Sequence, residues 1–258
     1  MLFYQNAERL KLKCGKCLVR SDLNSSALRE LLEDIDPLFD SAKIFKDSRT
    51  TKAGITKIVD IPYLNGAEVF VKRFNNKGHL YTFRYIFREP RPFRVWRSAF
   101  ALATAGVPTP RPIAAVAVYS GIIPENAFLL RESIPEVIPT LELFTKMLSD
   151  ERAKTSYIKF ACELFVKAHN AGIFHGDAKC SNIYAEPNTD AGPLGCSLGL
   201  WDLLSCQVTS TPVSEQMRMK EIRRLADSFA EIARRLGHTF NSDETFNIFW
   251  KQYIKTTD

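Results

Sequence analysis

Asp177 and Asn182 stand five residues apart in the run Ile173-Phe174-His175-Gly176-Asp177-Ala178-Lys179-Cys180-Ser181-Asn182-Ile183. A carboxylate and a carboxamide at that spacing can serve both ends of a phosphoryl transfer. The aspartate takes or orients the proton of an attacking hydroxyl, and the asparagine turns back to hold a metal ion on the phosphates. Lys179, two residues past Asp177, would direct a positive charge toward the phosphoryl group as negative charge shifts during transfer. The metal needs a second carboxylate, and Asp202, expected on a short strand within Gly199-Leu200-Trp201-Asp202-Leu203, supplies it. The phosphates need a cation, and Lys72 in the strand Val69-Phe70-Val71-Lys72-Arg73 can reach between them.

Taken singly, each residue has a plainer reading. Lys72 is an ordinary strand lysine, Asp202 a turn acid, and Asp177 and Asn182 can cap a helix or close an Asx turn. His175 is expected to pack and hydrogen-bond, shaping the loop rather than moving a proton. Taken together they point to chemistry, because Lys72, Asp177, Asn182 and Asp202 follow one another in the order that protein kinases use. The Phe-Gly that follows the metal-binding aspartate in those enzymes is replaced here by Leu203-Leu204.

Two sets of elements must position these side chains. Ser25 to Leu32 reads as a helix capped by Ser25 or Ser26, with Leu28, Leu31, Leu32 and Ile35 at helical spacing. Ala42 to Phe45, Ile55 to Ile61 and Glu68 to Phe74 read as three antiparallel strands. The polar turn Asp47 to Gly54 joins the first two, and the hairpin signal Asn65-Gly66 joins the last two. A basic aromatic stretch follows from Gly78 to Arg97, with Tyr81, Phe83, Tyr85 and Phe87 among arginines, of which Arg84, Arg88 and Arg91 share a helical face. A helix through Trp96, Phe100 and Ala103 closes at Gly106. Ile113 to Tyr119 and Ala127 to Arg131 bring the sheet to about five strands.

Beyond Pro139 the pattern is helical. Leu141 to Leu148 comes first, then Tyr157 to Asn170 with an apolar face of Ile158, Ala161, Leu164, Phe165 and Ala168, stopped by Gly172. Ile173 to Asp202 is irregular apart from a short strand at Leu198 to Leu204, and Met217 to Leu236 and Asp243 to Ile254 are the last helices. The expected fold is α+β and bilobal, protein-kinase-like. A small antiparallel-sheet N-lobe over residues 1–135 would join a helical C-lobe over 136–258, with ATP between the lobes.

Bulk properties agree. Hydrophobic residues at 45% and charged residues at 25% describe a chain that builds a core. The longest apolar runs, such as Ile113 to Val118, fall far short of the roughly 20 residues that cross a bilayer. Met1 to Leu12 mixes Gln5, Glu8, Arg9 and Lys11 into its apolar residues, unlike a secretory signal. Cys14, Cys17, Cys162, Cys180, Cys196 and Cys206 are scattered, as free thiols of an intracellular protein are. Cys14 and Cys17 flank a turn at Gly15 between two short strands and lack a second ligand pair for zinc. Cys180, inside the loop, reads as a small packing residue. A net charge of +6 favours anionic partners, and nucleic acid is not expected among them, since no recognition module accompanies the charge.

The sequence resembles the lipopolysaccharide kinase family, the Kdo and core-heptose kinases of Gram-negative bacteria, from about Ala42 to Leu236. The residues that carry the resemblance are Ile44-Phe45-Lys46-Asp47-Ser48-Arg49, Val71-Lys72-Arg73-Phe74 and Trp96 to Pro112 with its Gly106-Val107-Pro108-Thr109-Pro110-Arg111-Pro112. They continue with the loop His175 to Ile183, then Trp201-Asp202-Leu203-Leu204-Ser205-Cys206-Gln207 and Glu221-Ile222-Arg223-Arg224-Leu225-Ala226.

The resemblance implies ATP and Mg2+ as cosubstrates and a sugar hydroxyl of the lipopolysaccharide inner core, on heptose or Kdo, as acceptor. It also implies peripheral work on an anionic membrane, at the cytoplasmic face of the inner membrane, which suits the arginine-rich stretch. In this reading Asp177 and Lys179 are catalytic and Asn182 and Asp202 hold the metal. Lys72, Arg49 and Thr50 bind the nucleotide, hydroxyls and basic side chains of Ser48 to Lys52 standing in for a glycine-rich loop. One departure stands out: Arg94 to Ala105 contains no acid, so the helix glutamate that pairs with the strand lysine in kinases has no counterpart there. Two other readings stay open, a kinase acting on a protein or another small-molecule hydroxyl, and a pseudokinase-like module that binds a glycolipid or a partner.

Overall fold

The computed structural model describes residues 7–13, 15–58, 61, 63–76 and 88–257. Cys14 and Tyr81, Phe83, Arg84, Tyr85 and Phe87 of the basic aromatic stretch lie outside the described residues. The chain divides into two compact units, Met1–Phe100 with Pro110–Pro135 and Ala101–Thr109 with Glu136–Asp258.

The first unit is built on strands β1 (Ala7–Leu12) and β2 (Gly15–Arg20), helix α1 (Ser26–Glu33), strands β3 (Lys43–Ser48), β4 (Thr51–Lys57) and β5 (Glu68–Phe74), the start of helix α2 (Arg91–Thr104), and strands β6 (Pro112–Ser120) and β7 (Ile123–Glu132). These strands form one antiparallel sheet in the order β1-β2-β6-β7-β5-β4-β3. The sheet is wider than the sequence pattern indicates because the N-terminal hairpin docks on β6, with Cys17 opposite Val116.

Helix α1 forms because Ser25 Oγ accepts the Leu28 N–H at 3.2 Å, a cap worth about 1 kcal/mol. Leu28 and Leu32, one turn apart, are then fully buried with Val69, Val71, Val116 and Leu130 of the sheet. Truncating either leucine to alanine costs about 2–5 kcal/mol.

That packing decides where Lys72 faces. Side chains alternate along β5, and Val69 and Val71 are buried in the core under α1. Arg73 shares their side, pairing with Asp36 at 2.6 Å and lying over the Phe39 ring. Phe70, Lys72 and Phe74 therefore occupy the other face, where Lys72 Nζ sits 5.3 Å from the centre of the Phe74 ring.

The turn between β3 and β4 is shorter than the expected span Asp47 to Gly54. Thr51 to Gly54 all pair with β5, leaving only Arg49 and Thr50 in the turn. Ser48 Oγ accepts the Thr51 N–H at 3.2 Å, and Asn75 Nδ2 donates to the Ser48 and Arg49 carbonyls, each at 3.3 Å. The end of β5 thus braces the turn.

In the second unit, α3 (Thr140–Leu148) and α4 (Glu151–Asn170) lead into β8 (Ile173–Phe174), β9 (Ile183–Pro187), β10 (Cys196–Leu200) and β11 (Gln207–Val208), and the chain closes with α5 (Glu215–Arg235) and α6 (Ser242–Thr257). Its core is aromatic: Phe144 of α3 and Phe249 of α6 both meet Phe229 of α5, with ring centres 5.2 and 5.4 Å away. β9 pairs with β10 and β8 with β11, both antiparallel. The strand expected at Leu198 to Leu204 runs instead from Cys196 to Leu200, so Asp202 lies just past a strand rather than on one. Among the described residues no helix is long and apolar enough to cross a membrane.

Candidate active site

The loop between β8 and β9 is held by buried polar contacts. Helix α5 presents an acid, Glu221, on its apolar face beside Ile222 and Leu225, where it is only 2% exposed. Its carboxylate is used on both oxygens. Oε2 accepts the His175 N–H at 2.9 Å and lies 2.9 Å from His169 Nε2, while Oε1 accepts the Gly176 N–H at 2.6 Å. His169 is fixed in turn by the Tyr253 hydroxyl of α6, 2.8 Å from Nδ1. Gly176 is required here: its φ is +77°, and a Cβ would lie 2.5 Å from the Ser205 carbonyl oxygen.

The His175 ring ties the loop to the strand that precedes Asp202. Its Nδ1 accepts the Asp177 N–H at 3.3 Å and its Nε2–H donates to the Trp201 carbonyl at 3.1 Å, which fixes a neutral tautomer. Burial lowers the ring's pKa from its ordinary value. Glu221, the Trp201 carbonyl, Asp177 and Asp202 pull the other way and are outweighed. His175 thus shapes the loop as a neutral ring.

Asp177 emerges from this frame with its carboxylate one-fifth exposed. Oδ2 accepts from Asn182 Nδ2 at 3.0 Å and pairs with Lys179 Nζ at 3.0 Å, and Oδ1 accepts from Arg224 Nη2 of α5. Burial is the largest single influence and raises the Asp177 pKa. Hydrogen bonds from Lys179 and Asn182 with the charges of Lys179 and Arg224 together win, holding it below the usual carboxylate value. The group is ionised throughout the neutral range, as a proton acceptor must be.

Asn182 is nearly buried, and its Nδ2 is committed to the Asp177 carbonyl and carboxylate. Its Oδ1 takes no part in those two bonds. Trp201 links this residue to Asp202 by donating its N–H to the Asn182 carbonyl at 3.1 Å and its Nε1–H to the Ser181 carbonyl at 2.8 Å. Asp202 follows in the left-handed region, φ 55° and ψ 55°, a sparsely used conformation that costs about 1–3 kcal/mol and gathers at functional sites. Among the described residues no group of three or more His, Cys, Asp or Glu could hold a metal. One amide and one carboxylate oxygen fit Mg2+, which keeps water and phosphate oxygens in its other positions.

Asp177, Lys179 and Asn182 are thus in direct contact, and Asp202 is joined to them through Trp201. Lys72, Arg49 and Thr50 belong to the sheet of the first unit: Lys72 on β5, opposite Ala53 of β4, and Arg49 and Thr50 in the β3–β4 turn. Helix α2 carries no acid. The residues that sequence reasoning leaves without a role are Glu221 and Arg224, which stand in the sequence only as part of the run Glu221 to Ala226. A signal was present, since Glu221 is an acid at a buried helical position.

Residues 40–246 match the lipopolysaccharide kinase (Kdo/WaaP) family. The chain is 32% identical over 162 residues to a 3-deoxy-D-manno-octulosonic acid kinase of Vibrio parahaemolyticus serotype O3:K6 (strain RIMD 2210633), an alignment covering 60% of this chain and 66% of that protein. Its structure is similar to that of WaaP in complex with acyl carrier protein, with a TM-score of 0.60 and 18% identity over 90% of this chain and 87% of that one. That likeness is one of fold, and the fold is protein-kinase-like. With four fifths of its length inside the match, this chain belongs to the lipopolysaccharide kinase (Kdo/WaaP) family.

Proposed function

We propose that this protein transfers the γ-phosphoryl group of ATP to a sugar hydroxyl of the lipopolysaccharide inner core. The observation that carries this reading is the ionised Asp177 carboxylate, held by Asn182 and Lys179 on a loop that Glu221 braces. Asp177 accepts the proton of the attacking hydroxyl as its oxygen bonds to the γ-phosphorus. The bond from that phosphorus to the β-phosphate oxygen breaks, and ADP leaves. Lys179, 3.0 Å from Asp177 Oδ2, meets the charge that develops on the migrating group. Asn182 Oδ1 and the Asp202 carboxylate would hold Mg2+, which when bound would neutralise phosphate charge. Lys72 binds the nucleotide phosphates, with Arg49 and Thr50 contributing from the turn. Catalysis is then mainly positioning and electrostatics.

Similarity to the Vibrio Kdo kinase favours Kdo over heptose as the sugar. A glycolipid acceptor also accounts for the arginines at the start of α2, Arg91, Arg94 and Arg97, which suit peripheral work on an anionic inner-membrane surface facing the cytoplasm. The test is ATP turnover with Mg2+ and deacylated core oligosaccharide, followed by mass spectrometry of the sugar. Addition of one phosphate to Kdo is expected. Turnover with protein substrates and none with core sugars would overturn the acceptor assignment.

A further inference from the structure

Helix α5 reads the catalytic loop with two side chains on successive turns. Glu221 holds the N–H groups of His175 and Gly176. Arg224, three residues on, donates Nη1 to the Gly176 carbonyl at 3.3 Å and Nη2 to Asp177 Oδ1. The two oxygens of Asp177 are not equivalent. Oδ2 takes both Asn182 and Lys179, whereas Oδ1 takes Arg224 alone. The attacking hydroxyl needs an oxygen with a lone pair to spare, and that oxygen is Oδ1. Its proton is therefore delivered on the side where Arg224 stands.

The guanidinium is well suited to meet what surrounds that hydroxyl. Of its five N–H groups, two are engaged with Gly176 and Asp177, and its side chain is 54% exposed. A half-exposed arginine beside the reacting oxygen, with donors to spare, matches a planar anion in two-pronged fashion. We propose that Arg224 is a specificity-determining residue. It selects an acceptor whose reacting hydroxyl lies near an anionic group, a carboxylate or a phosphate, and binds that group while Asp177 takes the proton. The proposal rests on the phosphotransfer reading and extends it to the side of the site that recognises the acceptor.

The experiment compares kcat/KM of wild type, R224Q and R224K on deacylated core oligosaccharide, on its carboxyl-reduced form and on its phosphatase-treated form. Wild type is expected to lose about 10- to 100-fold on whichever treatment removes the anion, mainly through KM. Which treatment does so tells carboxylate from phosphate. R224Q should treat charged and neutralised acceptors alike within about threefold, with R224K between. A wild type that does not distinguish the acceptors, or an R224Q that slows all of them in proportion, would reduce Arg224 to a partner of Asp177. If R224Q shows no turnover, calorimetric titration of the same acceptors gives the same ratio from dissociation constants. A wild type inactive on every acceptor would strike the phosphotransfer reading instead, and the titration would still decide whether Arg224 selects an anion.

Discussion

Glu221 of α5 and His175 of the loop between β8 and β9 are 46 residues apart in the chain, yet the Glu221 carboxylate accepts the His175 N–H at 2.9 Å. With the Gly176 N–H and His169 on the same carboxylate, one buried side chain fixes where Asp177 stands.

Removing that acid should cost stability. Glu221→Ala strands two main-chain donors and the His169 ring in a dry site, a loss of about 3–5 kcal/mol. Glu221→Gln keeps one acceptor oxygen and should lose about 1–3 kcal/mol. Urea denaturation with circular dichroism measures both, and wild-type stability in the alanine variant would contradict the bracing role.

Asp177→Asn should lower kcat by about 10²- to 10⁴-fold while leaving ATP binding intact. Because the folded pKa of Asp177 is depressed, its share of stability is present above about pH 3.9 and is lost as pH falls through the folded value. Any acid limb in the rate between pH 5 and 7 must come from another group. Rate profiles of wild type, and single-turnover assays of the variant, check both statements.

Burial keeps His175 neutral in the fold, with a pKa below its ordinary value. The unfolded chain takes up a proton near pH 6.5 when the folded ring does not, so the stability tied to this ring is complete above about pH 6.5. It declines as pH falls through the folded value. Denaturation between pH 5 and 8 should show this slope, and it should flatten in His175→Gln. An unchanged slope would assign it to other groups.

The Cys180 thiol is 1% exposed and burial pushes its pKa up to about 12. It should resist iodoacetamide in the native protein and react only after unfolding, as peptide mass spectrometry would reveal. Cys180→Ala should retain activity within about threefold, since the thiol serves packing against α5.

The sequence alone brought Asp177, Lys179 and Asn182 together on one loop, because they meet through contacts spanning five residues or fewer. Short-range periodicity likewise gave most helices and the strands around Lys72. Three features awaited the tertiary structure. The hairpin of β1 and β2 joins a sheet through a strand roughly a hundred residues away. The turn at Arg49 and Thr50 is tight because pairing with β5 consumes its neighbours. The loop is held from α5: helical spacing places the acid Glu221 among apolar positions, but only the fold brings the His175 and Gly176 N–H groups to its carboxylate. Local spacing encodes what local contacts build, whereas a buried carboxylate acquires its meaning only from donors that the rest of the chain folds against it.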